Sequence, residues 1–144
     1  MPLHLIKLCV GCDSIRDLEE WIEERLAEKR RRRQPPEHIH TTRMQPKRTD
    51  ELKGGSLYWV IRGELACRER IVDIRPFVDK EGIKRCRLVL DGKVVPVVPR
   101  PVRAFQGWRY LATKDAPADL KRGVKSPARL PEELRRELRS LGLL

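Results

Sequence analysis

The stretch HIHTTRMQPKR, residues 38–48, gathers His38, His40, Thr41, Thr42 and the cations Arg43, Lys47 and Arg48. A threonine hydroxyl beside an imidazole is the raw material of nucleophilic catalysis, because the ring titrates near neutrality and can take the hydroxyl proton. Successive side chains of a strand alternate, so His38, His40 and Thr42 share one face while Ile39, Thr41 and Arg43 share the other. Thr41 then points away from both histidines, and His40 and Thr42 can meet side by side. No Asp or Glu within the stretch orients either ring. The catalytic candidates are His38, His40, Thr41 and Thr42, with Glu64 as an acid on a following strand. The same residues also read as a polar strand face or as a phosphate-binding lip.

Binding asks for less. The 144-residue chain holds 32 Lys and Arg against 21 Asp and Glu, a net charge of +11. Residues 1–28 are acidic on balance, so the excess belongs to the body of the protein, where it attracts polyanions by displacing their condensed counterions. Beyond the lip lie Arg62, then Arg68 and Arg70 on one strand and Arg85 and Arg87 on another, each pair spaced to share a face. They form a candidate cationic track, or an ordinary solvated sheet in which Arg pairs with Glu64, Glu69 and Asp73. Tyr58 and Trp59 point to opposite faces of one strand, one toward the core and one away. Trp108, Arg109 and Tyr110 in FQGWRY are the better stacking candidates, or else a core plug.

Four cysteines remain. Cys9 and Cys12 form a CxxC that could be half of a zinc knuckle, but Cys67 and Cys86 are 19 positions apart inside apparent strands and do not complete it. Free core thiols are the reading, and no metal or cofactor is expected.

The positioning elements follow from periodicity. LHLIKLCV (3–10) reads as a short buried strand. Helix 14–33 follows, capped by Ser14 or Asp13, with Ile15, Leu18, Trp21, Ile22, Arg25 and Leu26 on one stripe and Glu19, Glu20, Glu23 and Glu24 outward. From residue 37 the period changes to two. Strands are expected at 37–44, 56–62, 64–78 and 83–90, and the Asp91-Gly92 turn sends the chain into KVVPVV, giving an antiparallel meander. Cys67, Ile71, Cys86, Leu88 and Leu90 face its core. Pro96, Pro99 and Pro101 place the last strand at an edge. Residues 112–129 read as a basic linker and 130–144 as a short C-terminal helix packing on the core. The fold class is α+β: a small antiparallel open β-barrel in residues 1–111, with an N-terminal amphipathic helix and a short C-terminal one.

The runs MPLHLIKLCVG, PPEHIHTTRMQPKR, GGSLYWVIRG, DIRPF, RCRLVL and FQGWRYL resemble an uncharacterised bacterial, mainly alphaproteobacterial, domain-of-unknown-function family, family 1489, across almost the whole chain. More distantly, TTR followed by GGSLYWVIRGELACRERIVDIRPF is similar to ASCH and PUA-like domains, small β-barrels that commonly bind RNA. Some ASCH proteins are amidohydrolases of modified nucleosides that use a Lys, a Thr three residues later and a Glu from a following strand. On that pattern His38 stands in the Lys position, with Glu64 or Glu69 as the nearby acid.

The expectation is a soluble, cytoplasmic, PUA-like module binding structured or modified RNA through its basic strand face and the 38–48 lip. A pocket between the lip and FQGWRY would supply base selectivity. DNA stays open as a partner, no membrane is expected, and the module is a monomer or weak dimer. The alternatives are a hydrolase of modified nucleosides or nucleic acid, and a protein-interaction module using the acidic helix 14–28.

Overall fold

The apolar start of the chain forms strand β1 (His4–Leu8), and the amphipathic segment after it forms helix α1 (Ile15–Arg31). In this computed structural model the described residues are 3–43 and 46–120. The expected C-terminal helix, the linker from residue 121 and residues 44 and 45 of the lip lie outside them.

Ser14 caps α1: its Oγ accepts the Asp17 N–H at 3.1 Å, while Asp17 in the first turn and Lys29, Arg30 and Arg31 in the last complement the helix dipole. Ile15, Leu18 and Ile22 are its buried stripe. The helix stops short of the expected residue 33. Arg33 takes φ +56°, and the prolines that follow Gln34 cannot continue it.

The remaining elements are β2 (His38–Thr42), a one-turn helix α2 (Thr49–Leu52), β3 (Ser56–Ile61), β4 (Glu64–Val78), β5 (Lys84–Leu90), β6 (Val95–Pro101) and β7 (Trp108–Leu111). They make one seven-stranded sheet that does not close, ordered β2-β5-β4-β3-β1-β7, with β6 also on β4. A strand-rich fold agrees with the sequence, but the sheet is mixed and not a pure antiparallel meander. Strand β1 runs parallel to β3, Leu5 opposite Leu57, because the intervening α1, β2 and α2 return the chain in the same direction.

The expected β5–β6 hairpin at Asp91-Gly92 also does not form. The two edges of β5 are occupied by β2 and by the second half of β4, so β6 pairs with the first half of β4, Cys67 opposite Pro96. Register shifts at Leu65/Cys67 and Ile71/Asp73 let the 15-residue β4 serve both groups of strands. At the β3–β4 turn, Arg62 and Gly63 both take positive φ (51° and 78°), the backbone signature of a tight type I′ hairpin. Gly55 is required for a different reason: a Cβ there would lie 2.0 Å from the Leu3 carbonyl oxygen.

The sheet buries both faces. On the inner face Leu5, Leu57, Trp59, Cys67, Ile71, Cys86, Leu88 and Leu90 pack under Ile15, Leu18 and Ile22 of α1; on the outer face Ile6, Tyr58, Val60, Leu65 and Val97 form a second cluster. Tyr58 and Trp59 are therefore both core, 4% and 2% exposed, since β3 is covered on both sides. In the segment expected as a linker from residue 112, Thr113–Asp115 form a 3-10 turn and residues 118–120 lie along β6. The Val98 N–H donates to Ala118 O, the Leu120 N–H to Pro96 O, and Asp119 bridges to Val97. No helix among the described residues is long and apolar enough to cross a membrane.

Candidate functional site

On the inner face of β4, between Cys67 and Ile71, stands an acid: Glu69 is fully buried. A carboxylate at that depth requires donors on its oxygens. Glu69 Oε2 lies 2.8 Å from His38 Nδ1, and Oε1 accepts the Trp59 indole N–H at 3.0 Å. The other edge of each ring is aromatic. His38 stands edge-on to Trp21 (centroids 5.8 Å apart), Trp59 stands edge-on to His40 (5.0 Å), and the Arg25 guanidinium lies 4.4 Å from the centre of the Trp21 ring. One chain of contacts thus runs Arg25, Trp21, His38, Glu69, Trp59, His40, from the solvent edge of α1 into the interior and back out to β2.

Beside that chain lies a cavity of roughly 510 Å³ between the end of β1, α1 and β2, walled by Trp21, Trp59 and Ile39, with Lys7, Asp17, Arg25, His40 and Thr41 as its polar groups and Cys9 and Cys12 at its edge. This size suits a small ligand or a single nucleotide. His40 Nε2 is buried and has no hydrogen-bond partner among the described residues. Burial, then the charges of Lys7, His38 and Arg25, lower the His40 pKa to about 4, so near neutrality its ring is uncharged. Burial also lowers the pKa of Lys7. A smaller hollow of roughly 220 Å³, lined by Arg25, Lys29, Glu37, His38, Ile39 and Thr41, adjoins on the α1–β2 side.

Residues 5–144 match the model of a family described as protein of unknown function, DUF1489. The chain belongs to that family. No curated protein and no solved structure matches it.

In this DUF1489 chain the lip residues divide as strand alternation requires. His38 and Thr42 are buried, His40 is half-buried in the cavity wall, and Thr41 and Arg43 are exposed. His38 does have an orienting carboxylate, supplied by Glu69 from β4. A carboxylate on Nδ1 is how a general base is held in one tautomer, yet the His38 and Glu69 side chains are 1% and 0% exposed, so the pair as built anchors the cavity wall. Glu64 sits at the start of β4, opposite Ile61 and Pro101, away from the lip.

The lip does meet FQGWRY. The backbone N–H groups of Lys47 and Arg48 both donate to Tyr110 Oη (3.0 and 3.2 Å), and the Arg48 guanidinium, paired with Glu51, lies 5.6 Å from the Tyr110 ring centre. Trp108 is buried in the inner core, and Arg109 stacks on Phe105 at 4.8 Å.

The remaining cations do not form one track. Arg68 lies opposite Tyr58 and Val95, whereas Arg85 and Arg87 lie opposite Phe77 and Arg75 at the far end of β4. Arg68 makes a bidentate pair with Asp119 (2.8 Å each) and donates to Ser56 Oγ; Arg85 is paired with Asp79, and Arg87 stacks on Phe77 at 4.0 Å. Arg62 in its turn and Arg70 at the sheet surface are exposed. Glu20, Glu23 and Glu24 form an exposed acidic face on α1. Sequence reading named Glu69 only as one of two acids near His38, and missed Trp21, Trp59, Lys7 and Arg25 as site residues. The available signal was an acid at position 69, in register with the core residues Cys67 and Ile71.

Proposed function

We propose that the protein is an RNA-binding module, a small open barrel of PUA-like character, that takes one unpaired or modified nucleotide into the cavity between α1 and β2. The observation that carries this reading is the composition of the cavity wall: two indoles, the cations Lys7 and Arg25 against the single acid Asp17, and a neutral imidazole whose buried Nε2 has no protein partner among the described residues. RNA is read where bases are unpaired, by stacking on aromatic rings and by hydrogen bonds to base edges. Trp59, fixed by Glu69, offers a preorganised apolar wall, and His40 Nε2 a polar contact for a base edge. Lys7 and Arg25 supply positive charge for the phosphate, and Arg43 and Lys47 continue that charge along the lip.

The test compares a single-stranded RNA, an RNA hairpin with an unpaired loop and a duplex DNA of equal length, titrated over a range of salt. Wild type should prefer the RNAs. Arg25→Ala and Lys7→Ala should each weaken binding about tenfold and reduce the salt slope by about one. Arg68→Ala, whose charge Asp119 already neutralises, should bind as wild type does. Equal binding to all three nucleic acids, or no effect of Arg25→Ala and Lys7→Ala, defeats the reading.

A further inference from the structure

At the edge of the cavity is a turn between two thiols. Val10 and Gly11 are its central residues, Gly11 at φ +89°, and Cys9 and Cys12 flank it. A β-turn brings its first and fourth Cα atoms within about 7 Å, and disulfides span roughly 4.4–6.8 Å between Cα atoms. Both thiols are half-buried and line the same cavity. Cys67 and Cys86 are both fully buried. Among the described residues no group of three or more His, Cys, Asp or Glu side chains is placed to hold a metal ion.

We propose that Cys9 and Cys12 are a reversible dithiol–disulfide pair, oxidised by exchange with a low-molecular-weight disulfide of the glutathione class. The exchange has two steps. Cys12, as thiolate, attacks one sulfur of the small disulfide; that S–S bond breaks, and one small thiolate leaves and takes a proton from water. Cys9 then gives its proton to solvent and attacks the Cys12 sulfur, expelling the second small thiolate. Two cysteine thiols are oxidised and one small disulfide is reduced to two thiols. The order follows from Cys9, whose thiol is held protonated by burial first and by its contact with Cys12 second, which makes it the poorer entering nucleophile. Gly11 gives the turn its positive φ, a backbone conformation that a residue with a Cβ rarely adopts.

This inference is independent of RNA binding, and its test reads mass alone. The full chain is equilibrated across graded ratios of reduced to oxidised glutathione, trapped with N-ethylmaleimide, and measured as intact protein and as peptides. The expected result is a species that has lost two hydrogens, takes no label on Cys9 or Cys12, and regains both labels after dithiothreitol. Cys12→Ser should not form it. Should that variant fail to fold, Cys12→Ala is read in the same way, and the wild-type mass stands by itself. A persistent glutathione adduct on Cys12 with Cys9 free, labelling of both thiols at every ratio, or a disulfide to Cys67 overturns the proposal.

Discussion

On the outer face of the sheet Ile6, Val60, Leu65 and Val97 pack hydrocarbon against hydrocarbon; on the inner face, one strand thickness away, Glu69 lies fully buried with His38 and Trp59 fastened to it. Apolar contact is non-directional, so the outer cluster stabilises without dictating where any one side chain points. A carboxylate without water is directional. Its two oxygens set the ring planes of His38 and Trp59, and through Trp59 the wall on which His40 rests. The same sheet thus holds a stabilising face and a face whose polar anchors shape a cavity.

Breaking each face should separate those roles. Glu69→Ala leaves two buried ring N–H groups without an acceptor and should cost about 3–5 kcal/mol, measured by urea unfolding, and, on the proposed RNA-binding reading, should abolish RNA binding even where the variant remains folded. Leu65→Ala should cost about 2–5 kcal/mol and leave RNA affinity unchanged under folding conditions. Equal loss of affinity in both would erase the distinction between the faces.

A smaller effect comes from pH. The folded pKa of His40 is lowered from 6.5 to about 4, so between those values the unfolded chain binds a proton that the folded one does not. Stability therefore falls as pH drops from about 6.5 toward about 4, and this contribution levels off below. Burial, then Arg68, also lowers the pKa of His4, which adds a slope of the same sign. The quantity to measure is the difference between wild type and His40→Asn. That difference should change through the window; a flat difference would show that the cavity wall does not disfavour the charged ring.

The smallest effect belongs to the outer surface. Arg68 and Asp119 have side chains 26% and 44% exposed, so a double-mutant cycle should return about 0.5–1 kcal/mol for their pair. A value several times larger would mean that the segment after β7 is held chiefly by this one contact.

Much of this architecture was legible in local pattern. Ile15, Leu18 and Ile22 of the α1 stripe, the Ser14 cap, the extent of β4 and the inward set Cys67, Ile71, Cys86, Leu88 and Leu90 follow from periods of 3.6 and two, which sequence carries directly, whereas Trp21 and Arg25, expected on the same stripe, are exposed. The parallel pairing of β1 with β3 did not, because alternation says which face a residue takes and nothing about which strand lies beside it. The Asp91-Gly92 turn misled for a related reason: its local chemistry favours a hairpin, but both edges of β5 were already claimed. The candidate site was half visible. His38, His40 and Thr41 stood out as a cluster, whereas Lys7, Trp21, Arg25 and Glu69 come from three other elements and converge only in the folded chain.

Strand β1 finds its two neighbours at Leu57 on one side and Tyr110 on the other. Strand β1 is thus completed late, since one of its flanks waits for Tyr110, far along the chain from Leu5. Sequence-distant closure of this kind slows folding, and it leaves Leu5 and Ile6 uncovered on the nascent chain. Seating β1 between β3 and β7 therefore ties completion of the sheet to contacts that span most of the described chain.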